Sequence, residues 1–471
     1  MLFLFRRPDR FVIAFLRVDW TRRREVPRAG VLGVLLFVGA ALLLGGAPRG
    51  AAAQTVPDDD APPPDDSTRE GRLRQQRQQK EAGLTAPERG FFSQTVTRVE
   101  SFIEENQLVI DLPEVGLYGL QPVLGGLRSG SGTTGGLRLP FFRGRDDVDS
   151  YVEALASLKR YYGAEGVIGY DLEGAWTTYG FARYWHLPEE NFYGVGPEAE
   201  EIESNYHLDD VTAGGLVGYE LLPRVLVGGH VSYQLNRYGR GRDDDHPPIE
   251  QAFFEENVPG LGADVDYAVP GGFLEYDSRN IPYETDYARR FAPTERRLRG
   301  ISLDATSGFY AAVEALPHVA LGTGNYDYTR FNFESQQYIP FRDGFQVLAL
   351  REFLTLTSTP GVNTLPFYEM ETLGGEHTLR GYDTFRFRDH NAILLNAEYR
   401  WQIFRPLDMA LFVDAGHVFG AVEELALKAE HFETAYGVGL RIMSGQRVIG
   451  RFDVAYGGAG LTTNLELGGV L

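Results

Sequence analysis

The chain has 471 residues, a formal net charge of −20 at pH 7 and no cysteine. The absence of cysteine excludes disulfides, thiolate metal sites, a cysteine nucleophile and a lipid-modified N-terminal cysteine. The acidic charge, with no basic stripe to offset it, excludes nucleic acid as a partner. Aromatic residues reach 13% although the mean hydropathy is −0.24, which is typical of a transmembrane β-barrel and also of a glycine-rich soluble β-protein.

Residues 1–53 have the layout of a secretory signal peptide. An arginine-rich leader precedes an apolar run at residues 31–44, and the alanines at 51–53 offer a small-residue cleavage site before Gln54. The alternative is an uncleaved inner-membrane anchor, but this glycine-interrupted run is short for a membrane span of roughly 20 residues. We therefore predict export, with a mature N-terminus at Gln54.

Two short segments follow the signal peptide. Residues 54–90 contain runs of aspartate and proline that cannot bury apolar surface, so we predict a disordered periplasmic linker. Residues 91–114 carry apolar side chains near helical spacing, from Phe91 to Ile103. They predict a short amphipathic helix that either rests on the membrane or, as we favour, caps the mouth of the domain that follows.

Residues 115–471 show a period of two broken by Gly, Pro, Asn and Asp, which predicts about 16 strands, an even number as single-chain bacterial barrels have. The predicted strands are 115–127, 131–142, 150–161, 165–174, 176–187, 204–221, 223–236, 259–278, 296–314, 317–333, 344–358, 391–404, 407–419, 431–444, 447–457 and 461–471. Long connections are expected to be extracellular and short turns periplasmic. The predicted long connections are 188–203, 237–258, 279–295, 334–343, 359–390 and 420–430.

The alternation is clearest in the last third of the chain. Leu395 and Tyr399 share one face of a predicted strand, and Glu398 and Arg400 share the other. A soluble sandwich has the same periodicity with apolar residues inside. The signal peptide and the strand number favour the membrane alternative, so the predicted fold class is all-β, a transmembrane antiparallel β-barrel in the bacterial outer membrane.

Several motifs in the same order as in one known family give the most specific indication. They are the segments 276–280, 373–382, 396–400, 412–416, 437–441 and 451–456. Together they resemble the barrel of the BamA/TamA-like outer-membrane assembly-factor superfamily, the bacterial surface antigen family. The resemblance covers residues 259–471, and residues 115–258 carry weaker motifs.

The resemblance implies an extracellular loop folded back into the barrel, with Arg380, Gly381 and Tyr382 at its tip and Glu398 and Asp414 as acidic partners of the arginine. The residues support this, because both carboxylates lie on the lumen face of neighbouring predicted strands and could accept a bidentate arginine. Gly381 is expected to permit a sharp reversal. The alternative is that these residues are ordinary charged side chains in a water-filled lumen, where an ion pair contributes only about 0–1 kcal/mol to stability. The other family-motif residues are Gly374, Gly375, Asp277, Arg279, Gly416, Arg441, Arg451 and Asp453.

The resemblance also implies a non-enzymatic role with no cofactor or metal, in which a monomer assists insertion or translocation of proteins or lipids. Outer-membrane lipid, lipopolysaccharide and an unfolded protein or lipid client are the expected partners. The seam between strands 115–127 and 461–471 would open laterally. The family usually carries periplasmic polypeptide-transport-associated domains, and residues 54–114 are too few for one, so we predict a short form without them.

Two alternatives remain open at this point. One is a non-enzymatic pore or surface scaffold. The other is an outer-membrane enzyme that uses Glu376 and His377, which is disfavoured because the pair lacks the spacing of a zinc site. The acidic runs 198–203 and 243–246 are expected to be solvated loops, although they could bind divalent cations.

Overall fold

The computed structural model describes residues 2–7, 10–15 and 120–470, with gaps at 126, 142–147, 173–174, 199–201, 244, 281–300, 343–344, 405–406, 426–427, 445–446 and 468. The predicted apolar run and cleavage site of the signal peptide, the linker 54–90 and the helix 91–114 lie outside the described residues. Near the N-terminus, Leu2–Arg7 and Arg10–Phe15 pair as an antiparallel hairpin, which belongs to a separate unit.

The predicted fold class is confirmed, because one antiparallel sheet closes on itself as a barrel of 16 strands, the last of which has two segments. The strands are β1 (Gln121–Leu124), β2 (Thr134–Pro140), β3 (Val148–Ser157), β4 (Tyr162–Leu172), β5 (Trp176–Phe192), β6 (Ser204–Leu222), β7 (Val225–Arg240), β8 (Asp266–Asp277), β9 (Gly308–Ala320), β10 (Tyr328–Phe341), β11 (Gln346–Ser358), β12 (Asn391–Phe404), β13 (Leu407–Phe419), β14 (Glu433–Ser444), β15 (Arg447–Gly457) and β16 (Gly460–Leu467, continued by Gly469–Val470).

The faces of the strands follow the predicted alternation. On β13 the side chains of Leu411 and Val413 point outward and are about half exposed, at 47% and 53%. Between them, Phe412 and the following Asp414 are buried in the lumen. An apolar exterior around a charged interior is the arrangement that a lipid bilayer stabilises.

Two strand predictions are wrong in position. The segments predicted at 296–314 and 317–333 are observed as β9 and β10, which begin at residues 308 and 328. The predicted break falls at residues 315–316, immediately before Pro317, which lacks a backbone donor for the sheet. The structure keeps Pro317 inside β9, near its end and opposite Thr329, where the loss of one ladder hydrogen bond is tolerated.

The connections separate into a loop end and a turn end of the barrel. Because consecutive strands are antiparallel, the connections 193–203, 241–265, 359–390 and 420–432 all lie at one end, which we call the loop end. The connection 278–307 joins strands at the opposite end, the turn end, so the prediction that all the long connections share one side of the membrane is wrong. The prediction of a long connection at 334–343 is also wrong, since most of that segment is β10.

Among the described residues, helical structure is confined to short turns in the loops. The described turns are α1 (Ile249–Ala252) and the 3₁₀ segments Glu255–Asn257, Phe367–Glu369, Val422–Glu424 and Ala429–His431. No helix among the described residues is long and apolar enough to cross a membrane.

Candidate functional site

The connection 359–390, here called the inward loop, folds into the barrel lumen. Its base is a two-stranded hairpin of Glu371–Leu373 and Phe387–Asp389, and its tip is residues 374–386. Gly374 and Gly375 have φ of 116° and 93°, a backbone conformation that favours glycine. A Cβ on Gly374 would lie 2.2 Å from the carbonyl oxygen of Asp383, so the tip cannot close with a larger residue there.

Arg380 at the tip makes a bidentate contact with Asp414 on β13. Its Nε and Nη2 donate to the two carboxylate oxygens, each at 2.7 Å. Nη1 donates to Glu398 Oε2 on β12, also at 2.7 Å. The guanidinium lies 3.4 Å from the ring centroid of Phe412. Both carboxylates are fully buried, so these charge-assisted bonds act where solvent screening is weak.

A wider charge network surrounds this contact on β12, β14 and β15. Glu398 also accepts from Arg400 Nε at 2.8 Å and from Arg441 Nη2 at 3.1 Å. Arg441 and Arg451 share Asp453, with Arg451 Nε at 2.7 Å. Each buried carboxylate in the network therefore has at least two cationic or amide donors, as buried charge requires.

Glycines make room for the tip against the barrel wall. A Cβ on Gly381 would lie 2.7 Å from the backbone nitrogen of Gly457 on β15 and 2.8 Å from Ala435 Cβ. A Cβ on Gly416 would lie 2.9 Å from Leu373 Cδ1. Gly381 does not have a positive φ, so the expected reason for this glycine, a sharp reversal, is wrong. The structure requires it for close approach to the wall.

Tyr382 anchors the same tip to β14. Its hydroxyl donates to Glu433 Oε2 at 2.6 Å. Burial and this hydrogen bond to a carboxylate raise the pKa of Tyr382 to about 12, so the phenol stays a neutral donor.

The tip also contacts both sides of the junction between the last and the first strand. The carbonyl oxygen of Arg380 accepts hydrogen bonds from Thr462 Oγ1 at 2.7 Å and from Asn464 Nδ2 at 3.2 Å, both on β16. Ser129, in the connection that follows β1, donates to Glu376 Oε1 at 3.1 Å. The tip therefore contacts β16 on one side of the junction and the connection that follows β1 on the other.

Sequence reasoning missed the anchors at the base of the inward loop. Glu369 accepts from Asn236 Nδ2 on β7 and from the Tyr328 hydroxyl on β10, each at 2.8 Å. Glu371 pairs with Arg330 Nε on β10 at 3.0 Å. These contacts join residues far apart in the sequence, and the only available signal was the density of charged residues in an otherwise apolar segment.

The motif residues Asp277 and Arg279 lie apart from this network, at the turn end. They form their own bidentate pair, with Arg279 Nη2 donating to Asp277 Oδ2 at 2.6 Å and Nε to Oδ1 at 3.0 Å. Arg279 also donates to Gln336 on β10 at 3.1 Å.

Residues 301–307 of the turn-end connection also contact the lumen face of the wall. Ile301 and Ala305 are buried in an apolar cluster with Val347 of β11. Arg400 Nη1 donates to the carbonyl oxygen of Leu303 at 3.0 Å. Since Arg400 also donates to Glu398, these two side chains connect Arg380 of the inward loop to the turn-end segment.

The residues considered for catalysis and for cation binding have simpler surroundings. His377 Nε2 lies 3.6 Å from Glu376 Oε1 inside the tip. The two acidic runs meet at His246, whose Nδ1 lies 2.8 Å from Asp243 Oδ2 and whose Nε2 lies 3.5 Å from Glu203 Oε2.

Comparisons with known proteins agree with this architecture. The family model described as the Omp85 superfamily domain matches residues 294–460. The structure of BamA from Haemophilus ducreyi lacking POTRA domains 1-3 is similar, with a TM-score of 0.50 and 14% identity over 84% of this chain and 81% of that chain. CdiB from Escherichia coli has a TM-score of 0.47 and 11% identity over 74% of this chain and 61% of that chain. No curated protein matches the sequence significantly.

The matched segment includes β9 to β15 and the whole inward loop, and thus every residue of the Arg380 network except those on β16. The H. ducreyi structure supports the barrel fold. The resemblance inferred from the motifs is confirmed, because residues 294–460 match the Omp85 superfamily domain and the chain forms an outer-membrane-type β-barrel with the fold of the H. ducreyi structure.

Proposed function

We propose that this barrel assists the insertion or translocation of proteins or lipids at the outer membrane, by lateral opening between β1 and β16. The observation that carries the proposal is the shortness of this junction. Within the described residues, β16 pairs with β1 only through Gly469↔Leu124 and Val470↔Val123. By comparison, β15 and β16 pair over eight residues.

The energies are consistent with a junction that can open. A backbone hydrogen bond contributes about 0.5–1.5 kcal/mol net, so two residue pairs hold the junction by only a few kcal/mol. An opened junction exposes unpaired strand edges, and such an edge can template an incoming strand. This mechanism requires no catalytic residue and no cofactor, and we expect the barrel to act as a monomer with lipopolysaccharide around it.

In the proposed mechanism, the inward loop holds this junction closed. The carbonyl oxygen of Arg380 contacts Thr462 and Asn464, which lie on the part of β16 that is not paired with β1 among the described residues. On the other side of the junction, Glu376 contacts Ser129. The tip thus makes three hydrogen bonds to the two sides of a junction that is closed by two described residue pairs. Release of the Arg380 contacts would weaken the junction between β1 and β16.

An open pore is the less favoured alternative. The inward loop occupies the lumen from the loop end, and residues 301–307 contact the lumen face from the turn end. We therefore expect low single-channel conductance in planar bilayers. A large, stable conductance without any effect on other outer-membrane proteins would favour the pore.

A disulfide across the junction tests the proposal, because the chain has no native cysteine. Cysteines replace Val123 and Val470, which are partners in the backbone register of the junction. The matched control replaces Val454 and Thr463, which face each other on β15 and β16.

Each variant serves as the only copy in the host bacterium, and the outer-membrane proteome is measured with and without reductant. We expect the junction disulfide to reproduce the depletion phenotype until it is reduced, and the control to behave as wild type. Loss of many outer-membrane proteins on depletion indicates assembly, and loss of one secreted product indicates dedicated transport. Full function of the oxidised junction variant would refute lateral opening.

A further inference from the structure

A cluster of two histidines and one aspartate lies on the outer face of the barrel, on β5 and β6. His186 and Asp209 face each other across the ladder, and His207 is two residues from Asp209 on the same face of β6. We call these three residues the outer-face histidine cluster. They take no part in the Arg380 network, and the sequence had predicted no metal ligands.

The ligand atoms of the cluster converge on one point. His186 Nδ1 lies 2.7 Å from Asp209 Oδ1, and His207 Nε2 lies 3.3 Å from both of these atoms. Around a tetrahedral zinc ion with bonds of about 2.0–2.1 Å, neighbouring ligand atoms are separated by about 3.3 Å. The two distances from His207 Nε2 have this length. A small side-chain rotation would lengthen the third distance, from His186 Nδ1 to Asp209 Oδ1, to the same value.

A purely hydrogen-bonded cluster explains these positions less well. Two ring N–H groups directed at one carboxylate oxygen would bring their hydrogens close together, and Tyr184 donates to that same oxygen at 3.1 Å. A metal cation between the three side chains would bind the unprotonated ring nitrogens, so no two N–H hydrogens would be brought close together. We propose that His186, His207 and Asp209 bind a divalent transition-metal ion, for which Zn²⁺ is the best fit.

Neighbouring residues hold the ligands in place. The ring of Tyr162 stacks on His186, with centroids 4.5 Å apart and planes at 20°. Gly239 on β7 lies opposite His207, and a Cβ there would approach its Nδ1 to 2.8 Å. Such second contacts orient the ligands of metal sites. The two nitrogens and one oxygen favour zinc over Mg²⁺ or Ca²⁺, which prefer oxygen ligands alone.

The position of the cluster leaves it accessible to ions from outside. Along the outer face of β6, the sequence changes from His207 and Asp209 to Val211, Ala213 and Val217 towards the turn end. This change marks the edge of the apolar band on the loop side, with Tyr184 and Tyr162 as interfacial aromatics. A bound ion would join β5 to β6 at this edge and keep one coordination position open outward.

The test uses the full-length barrel in detergent, purified without a histidine tag and stripped with chelator. Zn²⁺ binding is measured by calorimetry, and Co²⁺ is used as a spectroscopic probe. We expect one zinc ion per chain and the visible absorption of tetrahedral Co²⁺. His207→Ala and Asp209→Asn should each weaken zinc binding by at least roughly 100-fold. Even residues that only hydrogen-bond to metal ligands typically change metal affinity by about 10–100-fold when they are replaced.

His246→Ala is the matched control, because it removes a histidine that contacts two acidic residues and is not one of the three proposed ligands. It should leave the zinc stoichiometry unchanged. Heat-modifiable gel migration verifies that each variant is folded, and His207, being partly exposed, should tolerate alanine. Wild-type affinity in folded His207→Ala, or no zinc binding by the folded wild type at micromolar concentration, would overturn the proposal.

Discussion

The contact of Arg380 with Asp414 and Glu398 allows a quantitative prediction. Arg380→Ala removes three hydrogen bonds to two fully buried carboxylates. Glu398 retains Arg400 and Arg441, whereas Asp414 retains only Asn396 among its described side-chain donors. Removing one partner of a buried ion pair typically costs about 3–5 kcal/mol, because the remaining charge is left uncompensated.

We expect this cost to appear first as undocking of the tip and not as loss of the barrel, whose ladders do not involve Arg380. At 1.4 kcal/mol per factor of ten, this cost should raise the population of the undocked loop by about 10²–10⁴-fold. The assay is the rate of proteolytic cleavage in the inward loop of the barrel in liposomes. This rate follows the undocked population when docking is fast relative to cleavage.

Two variants calibrate this experiment. Arg380→Lys keeps the charge and loses the bidentate geometry, so its cleavage rate should lie between those of wild type and alanine. Arg386→Ala is the control within the same loop, since Arg386 stacks on Tyr193 and lies outside the network. A cleavage rate for folded Arg380→Ala within about threefold of wild type would refute the reasoning, because threefold corresponds to less than about 1 kcal/mol.

Three further predictions test other parts of the structure. Gly381→Ala should increase cleavage of the inward loop as Arg380→Ala does, because its Cβ would lie 2.7 Å from the backbone nitrogen of Gly457; an unchanged rate would contradict the close approach. Asp304→Ala removes an acceptor that holds the turn-end segment to β15 at 2.8 Å, so single-channel conductance should rise; unchanged conductance would show that the segment does not restrict the lumen. The hydrogen bond with Asp243 raises the pKa of His246, so protection of its loop from protease should be fully present below about pH 6.5 and decline as the pH rises through the raised value. The contribution is at most about 1 kcal/mol because the pair is solvent-screened, and a pH-independent cleavage rate, or the same pH profile in His246→Ala, would contradict it.

The strand pattern was predictable because a lipid-facing barrel imposes the same alternation on every strand. Leu395 and Glu398 fall on opposite faces whatever their neighbours are, so class and strand number follow from local periodicity. Where the alternation continues past a proline, as at Pro317, periodicity alone does not locate the strand ends. The break predicted beside Pro317 displaced β9 and β10 in the sequence. The long connection 278–307 was also predicted at the wrong end of the barrel relative to the other long connections.

The site was predictable to the extent that the motifs and the strand faces determined it. Glu398 and Asp414 share the lumen face of adjacent strands, so their meeting with Arg380 could be anticipated. The bridge from the Arg380 carbonyl oxygen to Thr462 and Asn464 could not, because a backbone acceptor leaves no signal in the sequence.

The outer-face histidine cluster shows a different limit. The alternation His207-x-Asp209 places two potential ligands on one face of a strand, and this signal was available in the sequence. The third ligand depends on the register between β5 and β6, which the sequence does not reveal.

The central claim is that the tip of the inward loop keeps the junction of β1 and β16 closed. Its most direct test is the distance between spin labels at Leu137 on β2 and Leu465 on β16, both outward-facing, in lipid bilayers. We predict one narrow distance distribution for the wild-type loop and a second, longer population in Arg380→Ala. Identical distributions, with the loop of the variant demonstrably undocked by proteolysis, would contradict the claim.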